Sequence, residues 1–271
     1  MSRAPAALRL RRITSRSNEL LKELRRTFVD GGTHGDGLVA IEGVRMIEEA
    51  IRSGLKVRSI FFREPEDAIA DRLLGQIGAK AEAVTVPAPL FNQVVLTENP
   101  QGVAALVAPR KSSLEETLAP PQPLIVALAG IQDPGNAGTL LRSAEAFGAS
   151  GAVLLEGTVN PYNPKVVRAA AGSLFRLPVL ATNFSELLPR LREKQIRLVA
   201  GSSHKGTSLN VANLRGAVCI LIGNEGAGVP RTILSEVDEV VAIPHSSKVE
   251  SLNAAVAGSL IMYEAAQQRN A

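Results

Sequence analysis

The sequence predicts an α/β protein in two parts: a C-terminal, mostly parallel sheet with helices on both faces, preceded by a smaller α/β domain. Three observations predict it. From Leu124 onward, short apolar runs alternate with segments of helical period, the pattern of strands joined by crossover helices. Over 108–123 the composition shifts to Pro, Ser and charge (APRKSSLEETLAPPQP), as in an exposed interdomain linker. Finally, three apolar runs in the C-terminal half each lead into a polar peptide: 132–142 (QDPGNAGTLLR), 223–230 (GNEGAGVP) and 243–253 (IPHSSKVESLN). Open α/β sheets bind ligands just beyond the carboxyl ends of such strands, so the three peptides predict one composite site.

Each element follows from its local pattern. Leu20, Leu21 and Leu24 predict a helix over 18–28, with a Gly-rich loop at 31–37. Strands at 38–41, 57–62, 83–86 and 103–107, with helices at 44–53 and near 68–77, complete a first domain of ordinary size. Beyond the linker, strands are expected at LIVALAG (124–130), AVLLEG (152–157), RLVAGS (197–202), VCILIG (218–223) and VVAIP (240–244). Helices are expected at 137–147, near 165–172, at 184–194, just after Pro230, and at 250–268. The resulting division is a basic arm at 1–17, a domain at 18–108, a linker at 109–123 and a second domain at 124–271.

Composition narrows the function classes. The 271 residues are 45% apolar, enough for two cores, while the absence of Trp and the presence of only two Tyr provide few stacking platforms for single-stranded bases. No apolar stretch is long enough to span a membrane and the N-terminus has no apolar signal core, so a cytoplasmic protein without membrane attachment is expected. Cys219, the single cysteine, lies within VCILIG and reads as a buried thiol. The three histidines (His34, His204, His245) are scattered without metal-ligand spacing, so no metal is expected. The net charge of +4 is concentrated at one end: eight basic against two acidic residues make 1–26 carry +6. An arm with Arg11, Arg12 and Arg16 suits phosphate-backbone contacts driven by counterion release, the alternative being a solvated tail.

The three peptides carry the chemistry. Asp133-Pro134-Gly135 reads as a turn with Asn136 at the helix N-cap, and Arg142 lies on the first turns of that helix, off its apolar face. There a guanidinium can hold a phosphate or a developing oxyanion. The spacing G-x-x-G-x-G in 223–228 is neither the dinucleotide nor the P-loop fingerprint. Ser251 and Asn253 precede the closing helix as caps, and no G-x-S-x-G elbow surrounds Ser251 to make it a nucleophile.

In order and spacing these peptides closely resemble the three motifs of the SpoU/TrmH family of RNA 2′-O-ribose methyltransferases, within the SPOUT superfamily. Asn136, Gly138 and Arg142 match the first motif, Gly223-Asn224-Glu225-Gly226-x-Gly228 the second, and Ile243-Pro244 with Glu250-Ser251-Leu252-Asn253 the third. Residues 163–168 (NPKVVR), with Lys165 and Arg168, are similar to the family's loop near the RNA. Residues 1–107 resemble the small α/β substrate-binding domain, related to ribosomal RNA-binding proteins, that often precedes this catalytic domain.

The resemblance implies a trefoil knot, a homodimer through the C-terminal domain, and S-adenosylmethionine held chiefly by backbone at Gly223, Ile243 and Leu252, with Gly201 and Asn224 beside it. It implies methyl transfer to a ribose 2′-hydroxyl of ribosomal or transfer RNA, with ribosomal RNA favoured by the extra domain. Asn136, Arg142, Glu225, Ser251 and Asn253 match positions of catalysis or site architecture. The resemblance makes Arg142 the candidate base, yet a guanidinium with a pKa above about 12 rarely yields its proton, so we assign Arg142 to orienting the 2′-oxygen and the neighbouring phosphate. His245 stands where family members commonly carry Met and reads as a loop variant. A non-catalytic RNA-binding protein that kept the fold would have a degraded second motif, and a nicotinamide-dependent oxidoreductase would need the glycine fingerprint absent here.

Overall fold

The computed structural model describes residues 10–33, 37–65, 67–77, 81–95, 97–203 and 205–270. His34, His204, Arg3 and Arg9 lie outside the described residues, as does the middle of the Gly-rich loop. The chain divides into two compact units, one within 1–110 plus 162–164 and the other comprising 111–161 and 165–271.

The first unit runs β1 (Arg11–Arg12), α1 (Glu19–Asp30), β2 (Val39–Glu42), α2 (Val44–Arg52), β3 (Lys56–Glu64), α3 (Asp67–Leu74), β4 (Glu82–Pro87), α4 (Ala88–Val95) and β5 (Val103–Ala108). Its sheet has the order β1-β4-β3-β5-β2, with β1, β4 and β3 parallel and β5 antiparallel to both β3 and β2. One core forms where Leu21, Leu24 and Phe28 of α1 and Phe91 and Val94 of α4 close over Phe61, Val84 and Leu106 of the sheet. Removing such side chains from water is worth about 2 kcal/mol each, which is what holds α1 down.

Part of the expected basic arm belongs to this sheet. Arg11 and Arg12 pair with Val84 and Thr85 as an edge strand, and Ile13 just after them is buried in the core. Arg11 lies 2.5 Å from Glu82, and Arg12 binds both carboxylate oxygens of Glu64 at 2.8 Å. The Arg12 hydrogen bond holds the Glu64 carboxyl below its ordinary range. These two arginines are therefore partly neutralised, whereas Arg16 is exposed with no partner among the described residues. Helix α4 has no counterpart in the expectations, because its short, mostly apolar run after Pro87 shows no clear helical period.

The second unit continues with α5 (Leu114–Leu118), β6 (Leu124–Ala129), α6 (Pro134–Ala146), β7 (Gly151–Leu154), α7 (Pro164–Ala170), β8 (Val179–Ala181) and α8 (Phe184–Glu193). Then follow β9 (Arg197–Ser202), β10 (Thr207–Ser208), β11 (Val218–Gly223), α9 (Arg231–Leu234), β12 (Glu239–Ala242) and α10 (Ala254–Asn270). Every neighbouring pair in the order β10-β12-β9-β11-β6-β7-β8 is parallel. All six residues of β6 are buried, as a parallel strand covered on both faces requires. The expected linker is structured in part: Ser113 caps α5 by accepting the Glu116 N–H at 3.2 Å, and Thr117 and Leu118 are buried.

The connectivity decides where a ligand can sit. The chain steps outward from β6 to β7 and β8, then returns to the other side of β6, with β11 inserted between β6 and β9. That reversal makes the β6/β11 boundary a topological switch point, where loops leaving the carboxyl ends diverge and open a crevice. Among the described residues no helix is long and apolar enough to cross a membrane.

Candidate active site

The three polar peptides all leave carboxyl ends of this sheet: the first follows β6, the second β11 and the third β12. Local chemistry sets each loop. In the first, the N-cap of α6 is Asp133, whose side chain accepts the Asn136 N–H at 2.7 Å; the cap expected at Asn136 thus lies three residues earlier. A Pro at the first helical position suits that arrangement. Relieved of capping, the Asn136 side chain donates to Glu225 Oε1 at 2.6 Å and accepts from Asn253 Nδ2 at 3.0 Å. One residue from each peptide thus meets in a single hydrogen-bonded chain.

The second peptide folds on itself. Asn224 and Gly228 exchange backbone hydrogen bonds at 3.1 and 2.9 Å, and the Asn224 Oδ1 accepts from the Gly226 and Ala227 N–H groups. Its Nδ2 donates to the Gly130 carbonyl at 2.9 Å, tying this loop to the end of β6. Gly223 is required by this closure: a Cβ there would stand 2.4 Å from the backbone of Gly228 and Val229.

In the third peptide, Asn253 caps α10 by accepting the Ala255 and Val256 N–H groups at 2.9 and 3.2 Å. Helix α10 begins at Ala254, so Ser251, expected to cap it, instead lies exposed in the loop before it. His245 Nδ1 sits 2.8 Å from the Ile243 carbonyl, which assigns the ring proton to that nitrogen.

The loops enclose a cavity of about 470 Å³, within the range typical of small-molecule sites. Gly201, Gly223, Asn224, Ile243 and Leu252, the five residues expected to hold a cofactor, all line it, as do Glu225 and Ser251. The fourth strand end, from which only Gly201 was expected, also contributes Ser202, the last residue of β9, and Ser203 and Lys205 beyond it. The Ser202-Ser203 pair at the end of that run was the available signal. Apolar walls from Ile222, Val240 and Ile261 face glycine-rich backbone, a lining suited to a purine with polar edges.

Arg142 does not line this cavity. It projects, exposed, from α6, with no hydrogen bond or ion pair among the described residues. Gly138, one turn earlier, allows α7 to approach closely: a Cβ there would lie 2.4 Å from the Ala169 Cβ and 2.7 Å from the Val166 carbonyl oxygen. The exposed Lys165 and Arg168 of α7 are thereby carried on the helix packed against α6. Among the described residues no group of three or more His, Cys, Asp or Glu is placed to hold a metal ion.

A glycine-lined cavity at the switch point of a parallel sheet, in a unit that also exposes an arginine on α6 and two basic residues on α7, marks an α/β protein with room for a small cofactor and basic groups for an anionic partner. The chain belongs to the SpoU rRNA methylase family, whose model matches residues 123–263, and residues 34–105 match the MRM3-like substrate-binding domain. It is 31% identical to an uncharacterized tRNA/rRNA methyltransferase of Synechocystis, covering 95% of this chain and 94% of that one. The 23S rRNA (guanosine(2553)-2′-O)-methyltransferase RlmP of Bacillus subtilis is 28% identical, with 94% and 98% covered. Among solved structures, the SpoU methyltransferase AviRb of Streptomyces viridochromogenes in complex with AdoMet superposes with a TM-score of 0.83 at 28% identity, covering 94% of this chain and 99% of that one.

Proposed function

We propose that this methyltransferase transfers a methyl group from S-adenosylmethionine to a ribose 2′-hydroxyl in structured RNA, with ribosomal RNA favoured over transfer RNA. The observation that carries the reading is the chain Asn253–Asn136–Glu225, which knits three strand ends together beside a cavity of suitable size and lining. The residues present fit the cofactor, with backbone at Gly223, Ile243 and Leu252 to meet a purine edge and ribose and apolar walls to cover its faces. When bound, S-adenosylmethionine supplies a methyl group on a good sulfonium leaving group.

The protein's part is mainly positioning, since much of the barrier to an in-line transfer is met by holding the two reactants together. Asn136, fixed by Glu225 and Asn253, keeps the first and third loops at a constant separation. Arg142 offers a planar fork of N–H donors to the 2′-oxygen and an adjacent phosphate, stabilising charge that develops on the oxygen. Lys165 and Arg168 hold the RNA backbone, and within the first unit Arg16 offers a phosphate contact of its own; such contacts position without reading sequence. Ser251 lines the cavity from the third loop.

The reading also includes the trefoil knot of the family, a cytoplasmic location and a homodimer formed through α10. Val256, Leu260 and Tyr263, spaced i, i+4, i+7, leave an apolar stripe on that helix exposed by 50, 40 and 48%. Such a stripe on a helix otherwise packed against α6, β9 and β11 suits burial against a second copy.

Purified protein incubated with isotopically labelled S-adenosylmethionine and total RNA tests the reading. Label in RNA that survives alkaline hydrolysis as a resistant dinucleotide is the expected result, because a 2′-O-methyl removes the nucleophile of that cleavage. Label confined to bases would overturn it.

A further inference from the structure

Glu145 lies one helical turn beyond Arg142 on α6, at the i, i+3 spacing where opposite charges on a helix meet. An unengaged carboxylate there would draw the guanidinium along the helix surface and repel an incoming phosphate. The structure shows Glu145 engaged elsewhere. Arg176, just beyond the short 3₁₀ turn Ser173–Phe175, grips it at both oxygens, with Nε to Oε1 at 2.5 Å and Nη2 to Oε2 at 2.8 Å. The buried Ser173 adds a hydrogen bond to the same carboxyl. A bidentate guanidinium with a third donor satisfies most of the acceptor capacity that Glu145 has. Arg142 is correspondingly without a partner among the described residues.

We infer that Arg176 is a positioning residue for RNA: by sequestering Glu145, it keeps the Arg142 guanidinium available to the substrate. The inference rests on the reading of Arg142 as the RNA-orienting group. It also gives Glu145 a defined character, since a carboxylate one turn from Arg142 would otherwise oppose the charge offered to the RNA. The bidentate Arg176 pair cancels that opposition and pins the turn at 173–175 against α6.

The test compares the wild type with Glu145→Gln, Arg176→Gln, the double variant and Arg142→Ala, measuring kcat and KM for RNA at low salt and saturating S-adenosylmethionine. Arg176→Gln frees the carboxylate and is expected to lower kcat/KM for RNA about two- to fivefold, the worth of one surface ion pair at helical spacing, with cofactor affinity unchanged. Glu145→Gln retains wild-type activity. The double variant, which has no carboxylate to capture Arg142, regains it. High salt narrows the difference, because the competing pair is solvent-exposed.

A purely structural ion pair predicts the opposite pattern: both single variants lose melting temperature and activity together, and the double is not rescued. Unchanged kcat/KM in Arg176→Gln, or a double variant as impaired as that single, overturns the inference. If the Gln variant fails to fold, Arg176→Met, which keeps the aliphatic packing, is read in its place. Full activity of Arg142→Ala overturns the underlying reading of Arg142 instead, and the two failures are thereby distinguished.

Discussion

In the function proposed above, Arg142 is the side chain on which the chemistry turns, and its identity separates two roles. If it orients the 2′-oxygen and a phosphate through a planar fork, Arg142→Lys keeps the charge but loses the fork. We expect methyl transfer to fall about 10- to 100-fold at every pH, because a point charge replaces a bidentate clamp. Wild-type rates in the Lys variant would sink that role. A second residue makes a simpler statement. Cys219 lies wholly buried in β11, and burial pushes its thiol pKa up to about 12. Since only the thiolate reacts, iodoacetamide at pH 8 is expected to leave the native protein unmodified and to label one site per chain in denaturant, as mass spectrometry reports. At this scale the sequence was read well for Cys219, whose apolar neighbours imply burial. It was read less well for Asn136 and Ser251. Capping is decided by where the first helical N–H groups point, and Asp133 and Asn253 are equally good caps on composition alone.

Between elements, close approach sets the tolerances. Helices α6 and α7 meet at Gly138, where an added methyl has only backbone and the Ala169 Cβ to displace. Gly138→Ala is therefore expected to destabilise the protein by about 1–3 kcal/mol and lower the melting temperature by several degrees. An unchanged melting temperature would contradict the packing described. Electrostatics acts at the junction of α8, β9 and β12. Burial would raise the Asp238 pKa, but the Leu198 N–H at 2.7 Å and the Arg192 guanidinium at 2.6 Å outweigh it and hold the carboxyl below its ordinary range. A depressed carboxyl contributes stability above its unfolded pKa of about 3.9 and loses it as pH falls further. Asp238→Asn should cost about 1 kcal/mol at pH 7, discounted for partial exposure, and converge with the wild type near pH 2 in chemical denaturation. Most elements were legible from periodicity. Strands β1, β8 and β10 and helix α4 were not, because two- or three-residue strands carry too few positions for a period to register and the mostly apolar run of α4 shows none.

For the whole molecule, the homodimer is the most direct expectation. Leu260→Glu places a charge in the apolar stripe of α10, and sedimentation equilibrium should show dimers shifting to monomers at micromolar concentration. The same variant should leave the chain folded, since Leu260 is already 40% exposed. A dimer that survives the substitution would place the interface elsewhere.

The sequence by itself determined the class of fold, the two-part organisation and the family, because alternating apolar runs and ordered motif spacing are local or nearly local properties of the chain. Through the family resemblance it also named five of the residues that line the cavity, Gly201, Gly223, Asn224, Ile243 and Leu252. Only the tertiary structure decided that Asn136, Glu225 and Asn253 form one chain, across separations of 89 and 117 residues. It alone showed that Arg11 and Arg12 are spent on Glu82 and Glu64. It likewise revealed that Glu145 is held by Arg176, 31 residues away. The physical reason is common to all three: charge and hydrogen-bonding capacity are visible in a sequence, but which group satisfies which is settled by strand order, and strand order is a non-local property.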